Sequence, residues 1–97
     1  MSRFVFHETL VDGLSLVERK AIDDERGYME RLFCVEDLRE MLGNRSVAQI
    51  NRTVTKEAGT IRGLHFQNPP YSELKVVSCV RGSVFDVVVD LRKGSPT

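Results

Sequence analysis

The second half of the chain is dominated by short apolar and β-branched runs that end at glycine or proline. Four such runs predict strands, over residues 47–54, 60–66, 74–80 and 84–91. Asn68-Pro69-Pro70 ends the second run, because proline cannot donate a hydrogen bond to a strand ladder. The last two runs flank Arg81-Gly82 and predict a β-hairpin.

The first half predicts further strands. Residues 14–22 follow a turn signal at Asp12-Gly13, and residues 28–34 resume a strand after the charged turn 23–27, which ends on a glycine.

Residues 35–42 have a different period. Val35, Leu38 and Leu42 recur at helical spacing, and Gly43-Asn44 is a helix stop signal. Acidic residues directly after Val35 favour the positive end of the helix dipole. The sequence therefore predicts one short amphipathic helix.

Several short strands with glycine and proline turns predict an all-β barrel or double-sheet jelly roll. The chain offers about five or six strands, whereas a closed jelly roll has about eight. We therefore expect residues 1–97 to be the N-terminal portion of one domain that is incomplete in this chain. The remaining strands would come from a partner chain or from a longer sequence.

Composition narrows the classes of function. The 97 residues carry 14 basic and 14 acidic side chains, so the net charge is zero. This balance argues against a nucleic-acid-coating protein, but a local basic pocket for one anion stays open. No apolar run approaches the roughly 20 residues of a membrane span, and the N-terminus lacks signal-peptide features. The expected location is the cytoplasm, where Cys34 and Cys79 would be buried thiols.

The candidate chemistry centres on residues 60–67. On a regular strand Arg62 and His65 face opposite sides, and a kink at Gly63 could bring them closer. Lys75 and Asp86 lie on the two strands of the predicted hairpin. An imidazole beside an ammonium and a carboxylate suits proton abstraction next to a carbonyl group, with the cation stabilising the enolate oxygen.

Each of these residues also has an ordinary structural interpretation. His65 could be a hydrogen-bonded strand residue, Lys75 a solvated surface charge and Asp86 an acid at a strand edge. Gln49 and Asn51 share one strand face, which indicates either an exposed sheet face or a polar barrel interior.

Six blocks of the chain, in order and at nearly the same spacing, resemble the dTDP-4-dehydrorhamnose 3,5-epimerase family of cupin-type deoxysugar epimerases. The blocks are Asp24-Glu25-Arg26-Gly27, Gln49-Ile50-Asn51-Arg52, residues 59–67 (GTIRGLHFQ), Pro69-Pro70, Lys75-Val76-Val77 and residues 81–92 (RGSVFDVVVDLR). The resemblance covers almost the whole chain. It implies a cupin (double-stranded β-helix) jelly roll and an isomerase that acts through enolate intermediates.

The resemblance also implies roles for individual residues. His65 resembles the catalytic base, Lys75 the cation at the enolate oxygen and Asp86 a polar partner in the pocket. The expected substrate contacts are Arg26 and Arg62 at the phosphates or sugar, and Gln49 and Asn51 at the base and sugar. The family uses no cofactor or metal, and its homodimers exchange N-terminal strands. The implied partner is a nucleotide sugar, with no nucleic acid and no membrane.

The chain departs from the family at several points. The family commonly has phenylalanine at the position of Met29 and glutamate at that of Arg31, and the loop between Asn51 and Arg62 is one residue longer here. These differences leave the nucleotide and the sugar open. In the family, the proton-donating tyrosine and the aspartate that orients the histidine lie in the second half of the full-length enzyme, beyond the part that residues 1–97 resemble.

Two other functions are alternatives to an epimerase. A metal-binding cupin usually needs two closely spaced histidines, but His7 and His65 are far apart, so this class is disfavoured. A fragment that binds a sugar nucleotide weakly, or only self-associates, is the other alternative.

Overall fold

The first two strands form an antiparallel hairpin. The structure is a computed structural model that describes residues 3–96. β1, Phe4–Glu8, pairs with β2, Ser15–Arg19, in a register that sets Phe4 opposite Arg19. The strand predicted over residues 14–22 is therefore confirmed for its central part.

Local turn residues close both N-terminal hairpins. Gly13 has a φ of 83°, in the left-handed region that glycine adopts at little cost. β3, Ile22–Asp24, and β4, Gly27–Met29, pair across a two-residue loop inside the predicted charged turn. β4 ends sooner than predicted, because the residues that follow it have no strand beside them to pair with.

The predicted helix is present but shorter than its apolar pattern. α1 spans Arg39–Leu42, and the chain already turns from Cys34, whose carbonyl accepts from the Leu38 N–H at 3.0 Å. Gly43 has a φ of 61°, and its N–H donates to the Arg39 carbonyl at 2.8 Å. The predicted stop signal at Gly43 is confirmed.

A small apolar cluster joins this helix to the first hairpin. Phe4, Leu38 and Leu42 are 4%, 2% and 4% exposed, and they form the buried core of the described residues. Val17 from β2, together with Cys34 and Met41, packs around them. Burial of these side chains is the main favourable term for this part of the fold, since hydrophobic free energy scales with the apolar area removed from water.

The paired strands predicted beyond residue 46 are not formed within the part of the chain that the structure describes. The prediction of a hairpin around Arg81-Gly82 is wrong for this structure, which assigns no strand between residues 46 and 96. A strand needs hydrogen-bonded neighbours, and an isolated two-stranded hairpin is at best marginally stable in water. Cys79 lies in this region and is exposed, so the prediction that it is buried is also wrong.

The dimensions agree with this lack of pairing. The accessible surface is 9391 Å², whereas a compact chain of this mass exposes roughly 5,600 Å². The radius of gyration is 15.6 Å, against about 12.5 Å for a compact domain of this length. The all-β class with one short helix is confirmed, and the fold is incomplete within this chain.

Two arginines connect the unpaired segments to the N-terminal hairpins. Arg92 Nη2 donates to the Asp12 carbonyl at 2.5 Å and to Asp90 Oδ2 at 2.8 Å. The Arg92 side chain and the hydroxyl of Ser95 hold the pKa of Asp90 well below its usual range. Arg19 donates to the Cys79 carbonyl at 3.4 Å, a longer and weaker contact.

Replacing Leu38 with alanine is expected to lower the free energy of unfolding by about 2–4 kcal/mol, since a buried leucine loses transfer free energy and leaves a cavity. Leu10→Ala is the matched control, because Leu10 is 92% exposed. That variant should stay within about 0.5 kcal/mol of the unmodified protein. Urea denaturation followed by circular dichroism measures both, and equal losses would contradict the packing described here.

Candidate functional site

His65 and Lys75, which the sequence suggested as base and cation, line the same cavity. This cavity has a volume of about 290 Å³, and its wall is formed by His65, Phe66, Gln67, Ser72, Glu73 and Lys75. The loop through Pro69-Pro70 brings the two segments together. An imidazole and an ammonium facing one cavity can remove a proton and stabilise the negative oxygen that results.

Glu73 is a member of this cavity that the sequence interpretation did not single out. Its Oε1 lies 3.7 Å from Lys75 Nζ, and the two side chains are 46% and 51% exposed. An ion pair this exposed contributes little to stability. The carboxylate nevertheless places a negative charge beside the ammonium of Lys75 in the wall of this cavity. The sequence could have indicated this pair, because Glu73 and Lys75 are two residues apart and side chains at that spacing share one side of an extended chain.

Gly63 lies directly against the imidazole of His65. Its φ is +99°, and a Cβ at this position would lie 3.1 Å from His65 Nδ1. Both the backbone conformation and the contact therefore favour a residue without a side chain. Because Gly63 has no side chain, the backbone at this position can lie close to the imidazole ring of His65.

Arg62 lines a different cavity from His65. The second cavity has a volume of about 360 Å³ and includes Thr55, Lys56, Thr60 and Arg62 in its wall. Gly63 has a positive φ, but the side chains of Arg62 and His65 still line separate cavities, as their alternation along an extended chain suggested.

The remaining predicted contacts lie apart from both cavities. Asn51 Nδ2 donates to Gln49 Oε1 at 3.0 Å, so these two side chains do share one side of the chain. Arg26 pairs with Asp24 at 2.8 Å in the loop between β3 and β4. This guanidinium holds the pKa of Asp24 below its usual range.

Asp86 is exposed and lines neither of the two cavities. Its neighbour Phe85 is 95% exposed. No ion pair within residues 3–96 joins Asp86 to His65 or Lys75. The structure therefore does not bring Asp86 together with His65 and Lys75.

Among residues 3–96 no three His, Cys, Asp or Glu side chains cluster closely enough to hold a metal ion. No helix in the same range has the length and apolarity needed to cross a membrane.

Comparison with known proteins gives a consistent family. A family model described as dTDP-4-dehydrorhamnose 3,5-epimerase matches residues 8–97. A dTDP-4-dehydrorhamnose 3,5-epimerase from Streptomyces griseus is 47% identical over 88 residues, which are 90% of this chain and 44% of that protein. One from Sinorhizobium fredii is 35% identical over 97 residues, or 100% of this chain and 50% of the relative.

A relative with a narrower name also matches. A dTDP-4-dehydrorhamnose 3-epimerase from Streptomyces niveus is 41% identical over 88 residues, 90% of this chain and 42% of that protein. The chain thus spans about half the length of the curated relatives it matches. No solved structure gives a significant match.

Replacing Gly63 with alanine is expected to displace the His65 ring, because the added Cβ would lie 3.1 Å from Nδ1. Gly59→Ala is the matched control, since Gly59 has a φ of +81° but no atom within 4 Å of an added Cβ. The two variants carry a similar backbone cost, of about 1–2 kcal/mol. NMR of the His65 Cε1–H resonance should show a shift for the first variant only, and equal shifts in both would contradict the contact.

Proposed function

This chain belongs to the dTDP-4-dehydrorhamnose 3,5-epimerase family, and we propose that its protein epimerises a nucleotide-linked 4-keto-6-deoxysugar at C3, C5 or both. The observation that carries the proposal is the cavity shared by His65 and Lys75. The names of the relatives suggest dTDP as the nucleotide and dTDP-rhamnose biosynthesis as the pathway.

The chemistry begins with a C–H bond next to the C4 ketone. His65 takes the proton from C3 or C5, and the electron pair moves into an enolate whose charge rests on the C4 oxygen. Lys75 stabilises that charge, which develops only as the proton leaves, so the contact lowers the barrier rather than merely tightening binding. The enolate then accepts a proton at the same carbon from the opposite face, and the configuration is inverted.

Inversion needs an acid on the face of the sugar away from His65. Neither Tyr28 nor Tyr71 is part of the wall of the His65–Lys75 cavity. We propose that this acid is the tyrosine that the family resemblance implies in another part of the protein, together with the aspartate that orients His65. Residues 1–97 would then be the N-terminal portion of a single cupin-like domain that provides the base and the cation.

The remaining residues are proposed to hold the substrate. Arg62 and Arg26 would contact the phosphates or the sugar, and Gln49 and Asn51 would meet the base and sugar. Arg26 is 85% exposed at the tip of its hairpin, so it is accessible to a ligand or to a second subunit. Asp86 would reach the pocket as a polar partner once its strand is paired.

Assembly and location are part of the same proposal. The N-terminal hairpins project an exposed Tyr28 and Met29, at 70% and 51%. Such surfaces suit the exchange of strands between two copies. An exchanged strand would bury its apolar side chains and pair its free backbone groups in the same step. We propose a homodimer that works in the cytoplasm on a nucleotide sugar, without a cofactor, nucleic acid or membrane as partner.

A second candidate is that the chain by itself is a fragment that self-associates or binds the sugar nucleotide weakly. The exposed apolar side chains of residues 84–91 favour it, Phe85 at 95% and Val84 at 72% among them, because exposed apolar patches drive association. Isothermal titration with dTDP beside a turnover assay separates the two. Binding without turnover supports the fragment, and turnover supports the epimerase.

Replacing His65 with asparagine is expected to slow the incorporation of solvent deuterium at C3 and C5 of the 4-keto sugar about 10²–10⁴-fold, because the amide cannot act as a general base. His7→Asn is the matched control, because the chain has two histidines. His7 pairs with Glu18 at 3.0 Å on the first hairpin, and its loss should leave exchange unchanged. NMR of the sugar in D₂O measures exchange, and exchange retained without His65 would refute its role as base.

Replacing Lys75 with glutamine should lower kcat about 10²–10³-fold, since the amide lacks the charge that stabilises the enolate oxygen. Lys93→Gln is the control, as Lys93 is an exposed residue of the last turn. Steady-state kinetics measures both variants. A rise in KM with an unchanged kcat would assign Lys75 to substrate binding instead of catalysis.

A further inference from the structure

The loop that precedes Arg62 forms the wall of the larger cavity, of about 360 Å³. Its wall is made by Val54, Thr55, Lys56, Glu57, Thr60 and Arg62. Two cationic side chains, Lys56 and Arg62, and the hydroxyl of Thr55 thus line one space, together with the carboxylate of Glu57. This combination suits an anion with several oxygens, because it offers both charge and hydrogen-bond donors.

Thr55 fixes the orientation of the Arg62 guanidinium. Arg62 Nε donates to Thr55 Oγ1 at 3.0 Å. The bond uses one of the five N–H donors of arginine and leaves the paired Nη donors for a bidentate contact. No ion pair within residues 3–96 uses Arg62, whereas Arg26 is paired with Asp24.

The turn that follows Thr55 keeps Lys56 on the same cavity. Thr60 Oγ1 donates to the Glu57 carbonyl at 2.8 Å, and Gly59 has a φ of 81°. These contacts close the turn between Lys56 and Arg62, within the longer loop that runs from Asn51 to Arg62. The side chain of Lys56 is exposed, so a ligand can reach its ammonium without displacing a protein group.

We propose that Thr55 is a positioning residue for Arg62, and that Lys56 completes with Arg62 a binding site for the diphosphate of the nucleotide sugar. This inference rests on the proposed function for the identity of its ligand. Lys56 adds a mobile point charge to the planar fork of Arg62, and the two together match the charge spread over a diphosphate.

The test of Lys56 uses dTDP as the probe. Lys56→Gln should raise the Kd for dTDP about tenfold, as expected for one lost charge-assisted contact. It should raise KM for the nucleotide sugar similarly and leave kcat unchanged, because the diphosphate does not react. Lys20→Gln, at an exposed position after β2, is the charge-matched control and should change neither value.

The test of Thr55 separates positioning from folding. Thr55→Val removes the hydroxyl at nearly constant shape and should raise the Kd for dTDP about fivefold. Thr55→Ser keeps the hydroxyl and should restore affinity. Equal affinities for dTDP in the valine, serine and unmodified proteins would overturn the positioning role, and so would a loss that serine does not rescue.

The outcomes also separate this inference from the proposed function. Turnover with a dTDP affinity that is insensitive to Lys56 and Thr55 would overturn the diphosphate site alone. Dependence of dTDP affinity on both residues, in a protein that does not exchange deuterium, would support the site and overturn the epimerase.

Discussion

Packing of Leu38 and Leu42 against Phe4 is the contact on which the ordered part of this chain depends. It joins the short helix to the first hairpin and buries side chains that are 2%, 4% and 4% exposed. A four-residue helix has too few internal hydrogen bonds to be stable alone. A two-stranded hairpin is marginal for the same reason. Each element therefore depends on the apolar surface that the other covers.

The features that the sequence predicted correctly are those fixed by neighbouring residues. Gly13 and Gly43 provide the positive φ that their turns need, and the spacing of Leu38 and Leu42 sets the buried face of the helix. The structure of residues 74–91 could not be predicted in this way, because a strand forms only when it pairs with a partner strand that its own sequence does not specify. Their β-branched composition indicates a strand, but pairing requires a second layer to cover the apolar face. Propensity alone therefore overestimated the hairpin around Arg81-Gly82.

The same distinction applies to the candidate site. His65 and Lys75 are ten residues apart and joined by a proline turn, so their proximity could be predicted from neighbouring residues alone. The position of Asp86 depends on strand pairing, and sequence spacing could not locate it. Thr55 and Glu73 were missed because a hydroxyl or carboxylate near a cation is common on surfaces. Only the contact distances, 3.0 Å to Arg62 and 3.7 Å to Lys75, distinguish them.

The separation of the two cavities suits the proposed substrate. In a nucleotide sugar the diphosphate is attached at C1, whereas protons are exchanged at carbons on either side of C4, across the ring. A binding group and a base that faced one small cavity would compete for the same part of the ligand. Arg62 and His65 are three residues apart but face different cavities, with Gly63 between them. Binding energy gained at the diphosphate can then hold the ring in place at the imidazole.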